Sequence, residues 1–337
     1  MNTPLNVNAV NKLPLGDGGL RTIAIVMDIG GTKIKLGLVK DDKIICTRSI
    51  DADSANGLKE KLQVIAKLVD EMLLDQHVSL NDVAGVGISM PGIVDSKQKK
   101  VLSIDNKFND VVELNLTEWV NNTWHTNLEM ENDARCALIG EWKYGKGRGS
   151  DNVVLMTIGT GVGSSAVIEG NVLRGKHFQA GCLGGHFTVN IKGQQCNCGN
   201  KGCVEVEAST WNIERIAKQS ETFSSSMLSK ENILDFESIF RCAKQGDTLA
   251  RQLRDHCLDV WASAAVNLIH AYDPEILVIG GGVMASADEI IPYIQKMTDQ
   301  HAWTPWGKVK VVAAENINSA ALLGAAYLVF NQTTTGN

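Results

Sequence analysis

Short apolar runs separated by glycine- and aspartate-rich turns open the chain, and the same succession returns later. Met27-Asp28-Ile29 leads into Gly30-Gly31-Thr32-Lys33, and Ile34-Lys35-Leu36-Gly37-Leu38-Val39 then alternates apolar with polar positions, the period of a strand. Asp41-Asp42-Lys43 turns the chain again before a third short apolar stretch. The glycines therefore sit at the tip of a β-hairpin. In a P-loop or dinucleotide fold the glycine turn runs from a strand into a helix, so the second strand argues against both. Val153-Val154-Leu155-Met156-Thr157-Ile158, the turn Gly159-Thr160-Gly161-Val162-Gly163 and the return Ser164-Ser165-Ala166-Val167-Ile168 repeat the pattern. Glu169-Gly170-Asn171 then turns the chain before Val172-Leu173. Two copies of strand, Gly/Thr turn, strand, polar turn, strand predict an internal duplication into two similar α/β domains. Gly-Thr turns also occur in unrelated hairpins, and that alternative stays open here.

Between the copies, residues 57–74 have helical spacing, with Leu58, Leu62, Ile65, Leu68, Val69 and Met72 on one face. Val83-Ala84-Gly85-Val86-Gly87-Ile88-Ser89 reads as a buried strand ending at Met90-Pro91-Gly92. Leu128-Glu129-Met130-Glu131 is a short strand, after which Asn132-Asp133 opens a helix from Ala134 to Tyr144. A mostly helical stretch over 209–271 is interrupted by polar residues between Ser220 and Lys230. Pro274-Glu275-Ile276-Leu277-Val278-Ile279 is a core strand, Gly280-Gly281-Gly282 leads into a helix, and residues 319–330 form an apolar, Ala-rich helix. The predicted organisation is a flexible tail over 1–20, a small α/β domain over 21–132 and a large one over 133–318. A last helix over 319–331 packs back on the small domain.

Composition narrows the class. The 337 residues suit about two domains of roughly 150 residues each. Hydrophobic content of 44% with 21% charged residues is that of a soluble globular protein, and a net charge of -6 excludes a basic nucleic-acid footprint. The first twenty residues carry no apolar signal segment, and no run approaches the ~18 residues that would span a bilayer, so a cytoplasmic protein is expected. Eight cysteines without a secretory signal do not make a disulfide framework. Three of them crowd into Cys196-Asn197-Cys198-Gly199-Asn200-Lys201-Gly202-Cys203. Cysteines one residue apart are poorly placed to pair, whereas thiolates on a glycine-rich turn suit a tetrahedral metal; a redox-active pair is the alternative. Cys46, Cys136, Cys182, Cys242 and Cys257 lie in apolar or helical contexts and read as small buried hydrophobes.

Taken in order, the two hairpins, the strand-end Asn132-Asp133, His186, the Cys-x-Cys-Gly-x-x-Gly-Cys-x-Glu run over 196–205 and the late Gly280-Gly281-Gly282 resemble the ROK family. That family comprises repressors, open reading frames and sugar kinases on the actin/hexokinase/Hsp70-like ATPase fold. The resemblance covers residues 23–330. Glu131-Asn132-Asp133-Ala134-Arg135-Cys136-Ala137-Leu138 and Thr157-Ile158-Gly159-Thr160-Gly161-Val162-Gly163 resemble its kinase members in particular. The implied architecture is two ribonuclease-H-like domains with an active-site cleft between them. The implied function is ATP-dependent phosphorylation of a sugar, glucokinase-like, at a primary hydroxyl (the 6-hydroxyl of a hexose or N-acetylhexosamine). A homodimer is implied as well, and neither a nucleic-acid nor a membrane partner.

The resemblance also distributes roles. Asp133 is the general base, taking the proton of the attacking hydroxyl. Asn132 and Asn106 hold neighbouring sugar hydroxyls, as do His186 and Glu205. Asn-Asp is also a favoured helix cap, and capping and catalysis can coexist. Asp28 suits a Mg²⁺ held through water. Gly30, Gly31 and Thr32 offer donors to the transferring phosphate with Lys33 adding charge, although Lys33 also fits a solvated turn. Gly159, Thr160 and Gly161 serve the other phosphates. Gly280, Gly281 and Gly282 match the adenosine-binding turn, or pack a strand tightly against a helix. His186, Cys196, Cys198 and Cys203 supply one imidazole and three thiolates, a closed set for structural Zn²⁺.

One motif departs. Kinases of this family carry Glu-x-Gly-His ahead of the cysteines, and that Glu contacts the sugar near its anomeric end. Here Ala180-Gly181-Cys182-Leu183-Gly184-Gly185-His186 places Leu183 at that position, or Cys182 if one residue is inserted. Losing an acceptor there weakens binding of a sugar with a free hydroxyl, which points to a 1-substituted, deoxy or otherwise modified sugar. Residues 108–119, ending Leu114-Asn115-Leu116-Thr117-Glu118-Trp119, are reminiscent of β-glucoside kinases, and a silent sugar-binding protein is a further alternative. A sugar-sensing repressor needs a helix-turn-helix domain, for which the roughly 22 residues before the first strand are too few.

Overall fold

The computed structural model describes residues 22–105 and 107–331, so the expected N-terminal tail and Asn106 fall outside the described residues. The chain divides into two compact units. The first takes the described residues up to Tyr144 together with those from Ser319 onward, and the second is Gly145–Asn318.

In the first unit β1 (Ile23–Ile29), β2 (Lys33–Lys40) and β3 (Lys43–Asp51) form the opening meander. The helix α1 (Lys61–Asp75), then β4 (Val83–Met90), a small hairpin of β5 (Ile93–Asp95) and β6 (Lys100–Ser103), α2 (Leu116–Trp124), β7 (Leu128–Asn132) and α3 (Asp133–Tyr144) follow. The five-stranded sheet has the order β3-β2-β1-β4-β7. β1 is antiparallel to β2 and parallel to β4, and β4 is parallel to β7. β4 is buried along its whole length, as a central strand covered on both faces must be, whereas β3 exposes alternate residues as an edge strand does.

The second unit repeats this order. Its strands are β8 (Val153–Ile158), β9 (Val162–Ile168) and β10 (Asn171–Val172), then β11 and β12 after a helical stretch. That stretch is α4 (Val204–Ala208), α5 (Thr210–Lys218), α6 (Phe236–Lys244) and α7 (Thr248–Tyr272). β11 (Ile276–Gly280), α8 (Ala287–His301) and β12 (Lys310–Ala313) complete it. Its sheet runs β10-β9-β8-β11-β12, with the same antiparallel first pair and parallel last two pairs. The duplication expected from the two hairpins is thus a duplication of sheet topology.

The last helix, α9 (Ala320–Phe330), belongs to the first unit, where Leu322, Ala325, Ala326, Val329 and Phe330 share a core with Ala24, Val26, Val39 and Ala84. The predicted boundary after Asn132 is corrected here: α3 stays with the first unit, because it packs along α9, and the division falls at Tyr144. The predicted helix over 57–74 begins later, at Lys61. Gly57 has a positive φ of 84°, and the Leu58 and Lys59 N–H groups donate to the Asp110 carboxylate instead of a helical ladder. Gly280-Gly281-Gly282 leads first into a 3-10 turn over Gly282–Ser286 and only then into α8. Among the described residues no helix is long and apolar enough to cross a membrane.

Candidate functional site

In the first unit the three parallel strands bring their carboxyl ends together, the edge where open α/β sheets bind ligands. Asp28 lies opposite Ser89, and Ser89 opposite Glu131, across β1, β4 and β7. The fully buried Ser89 hydroxyl donates to Asp28 Oδ1 at 2.7 Å. Burial pushes the Asp28 carboxyl above its ordinary range, opposed by that hydrogen bond and by the charge of Lys35. Beyond Asp28 the hairpin tip closes through Gly30 N–H donating to the Lys33 carbonyl at 3.0 Å, and a Cβ on residue 30 would meet the same oxygen at 2.7 Å. Only glycine fits there. Thr32 is exposed at the tip. Lys33 is turned to the opposite strand, its Nζ 2.5 Å from Asp51, and this pairing holds the Asp51 carboxyl below its ordinary range.

Asn132 and Asp133 form the junction between β7 and α3. Asn132 Oδ1 accepts from Arg135 N–H at 3.2 Å, capping the helix, while its Nδ2 donates to Gly92 O and to Asp133 Oδ1, each at 2.9 Å. Asp133 Oδ1 also accepts from Ala134 N–H at 2.8 Å. Both bonds fall on one oxygen, so Oδ2 is left without a partner among the described residues. Beneath the junction Arg135 and Glu131, both fully buried, form an ion pair at 3.3 Å, and Glu131 Oε1 accepts from Asn132 N–H at 2.9 Å. The strand-to-helix turn is therefore tied on both sides of Asp133. Burial raises the Asp133 carboxyl above its ordinary range; Lys107 is the strongest influence the other way, and Asp28 adds to the rise.

The second unit repeats the arrangement of turns at strand ends. Gly159-Thr160-Gly161 joins β8 to β9, and Gly280-Gly281-Gly282 follows β11. Gly281 has φ of 92° and lies against the Ile158 backbone, so the two turns are neighbours. A Cβ at Gly159 or Gly282 would meet nothing within 4 Å. Backbone N–H groups at the start of α5 donate to the tip itself, Thr210 to Gly159 O at 3.0 Å and Trp211 to Thr160 O at 3.2 Å. Glu205, on α4, accepts from Val162 N–H at 3.0 Å, and a Cβ at Gly161 would meet its Oε2 at 2.5 Å. Glu205 therefore braces the turn.

The cysteine loop converges as its chemistry requires. His186 Nδ1 is 3.8 Å from Cys196 Sγ, Cys198 Sγ is 3.7 Å from Cys203 Sγ, and all four ligand atoms lie within 4.8 Å of one another. A tetrahedron with metal–sulfur bonds of about 2.3 Å has edges of about 3.8 Å, whereas a disulfide needs about 2.05 Å. The donor set and spacing fit a zinc ion. Of the two residues expected at the place of the family's glutamate, Leu183 precedes the turn Gly184–His186 and is 38% exposed, and Cys182 is partly buried.

A family model described as the ROK family matches residues 24–332. The chain belongs to the ROK family. A glucokinase of Thermotoga maritima is 33% identical, the match covering 90% of this chain and 96% of that protein. A β-glucoside kinase of Listeria monocytogenes is 28% identical over 89% of this chain and 95% of that protein. The solved structure of a ROK glucokinase from Streptomyces griseus, in complex with glucose and AMPPNP, superposes with a TM-score of 0.73 at 28% identity, covering 91% and 98% of the two chains.

Three groups in this ROK chain escaped sequence reasoning. Ser89 carries a signal, a hydroxyl at the end of an otherwise apolar strand. Glu131 and Arg135 carry none, since their pairing depends on burial that spacing does not reveal. Lys107 carries none either, since its place beside Gly31 is made by folding.

Proposed function

We propose that this chain is an ATP-dependent sugar kinase that transfers the γ-phosphoryl group to a primary hydroxyl, the 6-hydroxyl of a hexose or N-acetylhexosamine, with Asp133 as general base. The observation that carries the reading is the Asp133 carboxyl, anchored through Oδ1 and open at Oδ2, in the same unit as Asp28 and the Gly30-Gly31-Thr32 tip. ROK membership and kinase-named relatives at full length support it. As the sugar oxygen forms its bond to the γ-phosphorus, the bond from that phosphorus to the β–γ bridging oxygen breaks, and the hydroxyl proton passes to Asp133 Oδ2. Asn132 and Asn106 hold adjacent hydroxyls, with His186 and Glu205 assigned to the sugar by the resemblance. Gly30, Gly31 and Thr32 serve the transferring phosphate, while Gly159, Thr160 and Gly161, with Gly280, Gly281 and Gly282, serve the rest of the nucleotide. Asp28 is the residue that would hold Mg²⁺, which neutralises charge on the phosphates when bound. His186, Cys196, Cys198 and Cys203 would hold a structural Zn²⁺, closed to water and so without a chemical step of its own. The repeated sheet order supports the ribonuclease-H-like assignment of both units. A cytoplasmic homodimer completes the reading on the strength of the resemblance.

A second reading, a kinase for β-glucosides or other modified sugars, is favoured by Leu183, which leaves the position of the family's carboxylate apolar. One ADP-release screen serves both. Glucose, N-acetylmannosamine, cellobiose and an anhydro-sugar are offered with ATP and Mg²⁺, and Asp133→Asn is the control. Sugar-dependent ADP above the control supports the kinase, and the acceptor turned over fastest decides between the readings. No release above the control from any class would sink it.

A further inference from the structure

The lysine inside the first phosphate turn is directed away from it. Lys33 is half-exposed and paired with Asp51 on the neighbouring strand, where the sheet register holds the two opposite each other. Another ammonium reaches the turn from a distant loop. The Lys107 side chain lies along Gly31: a Cβ there would be 3.2 Å from Lys107 Cδ and 3.5 Å from its Nζ. The same ammonium acts on the charge of Asp133. Lys107 makes no ion pair with any other described residue, so its charge is not already neutralised by an acid at hydrogen-bond range.

The loop that presents Lys107 is anchored on its far side. Phe108 is fully buried, adopts a positive φ of 48°, and donates its N–H to Ser54 O at 2.7 Å. Two residues on, Asp110 accepts from Leu58 N–H at 2.7 Å and Lys59 N–H at 2.8 Å. A bulky residue held in the left-handed region costs conformational energy, and the buried ring and these bonds over-determine it. The lysine is thus carried on a fixed support.

We propose that Lys107 is the cation of the phosphoryl-transfer step, binding the equatorial oxygens of the transferring group between the Gly30-Gly31-Thr32 tip and Asp133. This rests on the kinase reading. Charge on those oxygens must be met by donors already in place, and an ammonium beside the turn is such a donor. Placed there it also favours the ionised base while leaving the proton to the sugar hydroxyl.

The test compares wild type, Lys107→Met, Lys107→Arg and Asp133→Asn in the full-length protein, using the fastest acceptor among glucose, N-acetylmannosamine, cellobiose and an anhydro-sugar. Methionine keeps an unbranched stem along Gly31 and removes only the charge. We expect kcat of Lys107→Met to fall about 100-fold or more, as when one preorganised donor to a transition state is lost. The sugar Kd by calorimetry without nucleotide should stay within about twofold, and arginine should restore at least a tenth of the rate, outcomes a merely structural lysine would not produce. If Lys107→Met keeps kcat within about threefold while Asp133→Asn is inactive, the assignment of Lys107 fails and the kinase stands. If it loses sugar affinity with kcat intact, Lys107 serves the sugar and the proposal is overturned. Wild type without sugar-dependent ADP release overturns the kinase reading and this one with it.

Discussion

A carboxyl raised by burial and by a like-charged neighbour is Asp133's defining property, and it sets both its chemistry and its cost. Because its pKa in the folded protein lies above the ordinary 3.8, the folded state binds this proton more tightly than the unfolded chain does. Its contribution to stability is therefore favourable at low pH and is lost as pH rises from 3.8 through the folded-state pKa. Asp133→Asn removes the penalty while Asn Oδ1 still accepts from Ala134 N–H. That variant should be more stable than wild type at pH 7 in urea unfolding, with the gap closing toward pH 4. Its kcat should fall by about 10²–10⁴-fold, the usual worth of a general base. In wild type, kcat should rise with pH through a midpoint above the ordinary carboxylate range; a pH-independent rate down to pH 4 would contradict the assignment. The position of Asn132-Asp133 between strand and helix was legible as a favoured capping pair at the end of an apolar strand, whereas the role of base came only with the family resemblance. Lys107 was not, because its loop has no period and its closeness to Gly31 is made by folding alone. The direction of Lys33 was hidden for the same reason: its place in the turn is visible in the sequence, its pairing with Asp51 is not.

Among elements, the seating of α3 on α9 matters most to the site, since α3 begins at Asp133. The two helices approach so closely that a Cβ at Gly324 would collide with the Cys136 carbonyl, and one at Gly140 with the Ala320 carbonyl. A third glycine, Gly87 in β4, faces the Ala325 carbonyl, where a Cβ would lie 2.5 Å away. Gly324→Ala should then lower stability by about 1–3 kcal/mol in urea unfolding, since the obstructing atoms are backbone and cannot rotate aside. It should also reduce kcat more than a stability-matched core change in α7, because it displaces the helix that starts at Asp133, the proposed base. The strands and both glycine turns were legible from period and turn chemistry. The home of α3 was not: most of its residues are buried, so no stripe points to a partner, and only the packing decides which unit it joins.

At the scale of the whole molecule, the second unit is continuous in sequence while the first is closed by the chain's last helix. A fragment over 145–318 should accordingly unfold cooperatively on its own and bind about one zinc per chain by metal analysis, and its Cys198→Ser variant should lose the metal. A zinc-free fragment, or full occupancy in the variant, would falsify the assigned ligand set. A chain ending before Ser319 should fail in the other unit, exposing the apolar surface of Ala24, Val26, Val39 and Ala84 that α9 covers. The duplicated sheet was legible at this scale because the two hairpins repeat. The discontinuity of the first unit was expected as well, from the apolar helix over 319–331 packing back on the small domain. The late arrival of α9 has a consequence for biosynthesis. A ribosome releases the strand bearing Asp28 and the helix that begins at Asp133 long before it releases Leu322–Phe330, so the unit that is started first is the unit completed last. Nascent chains therefore carry the proposed base without the helix that seats it until Leu322–Phe330 has emerged, and the first unit can close only then.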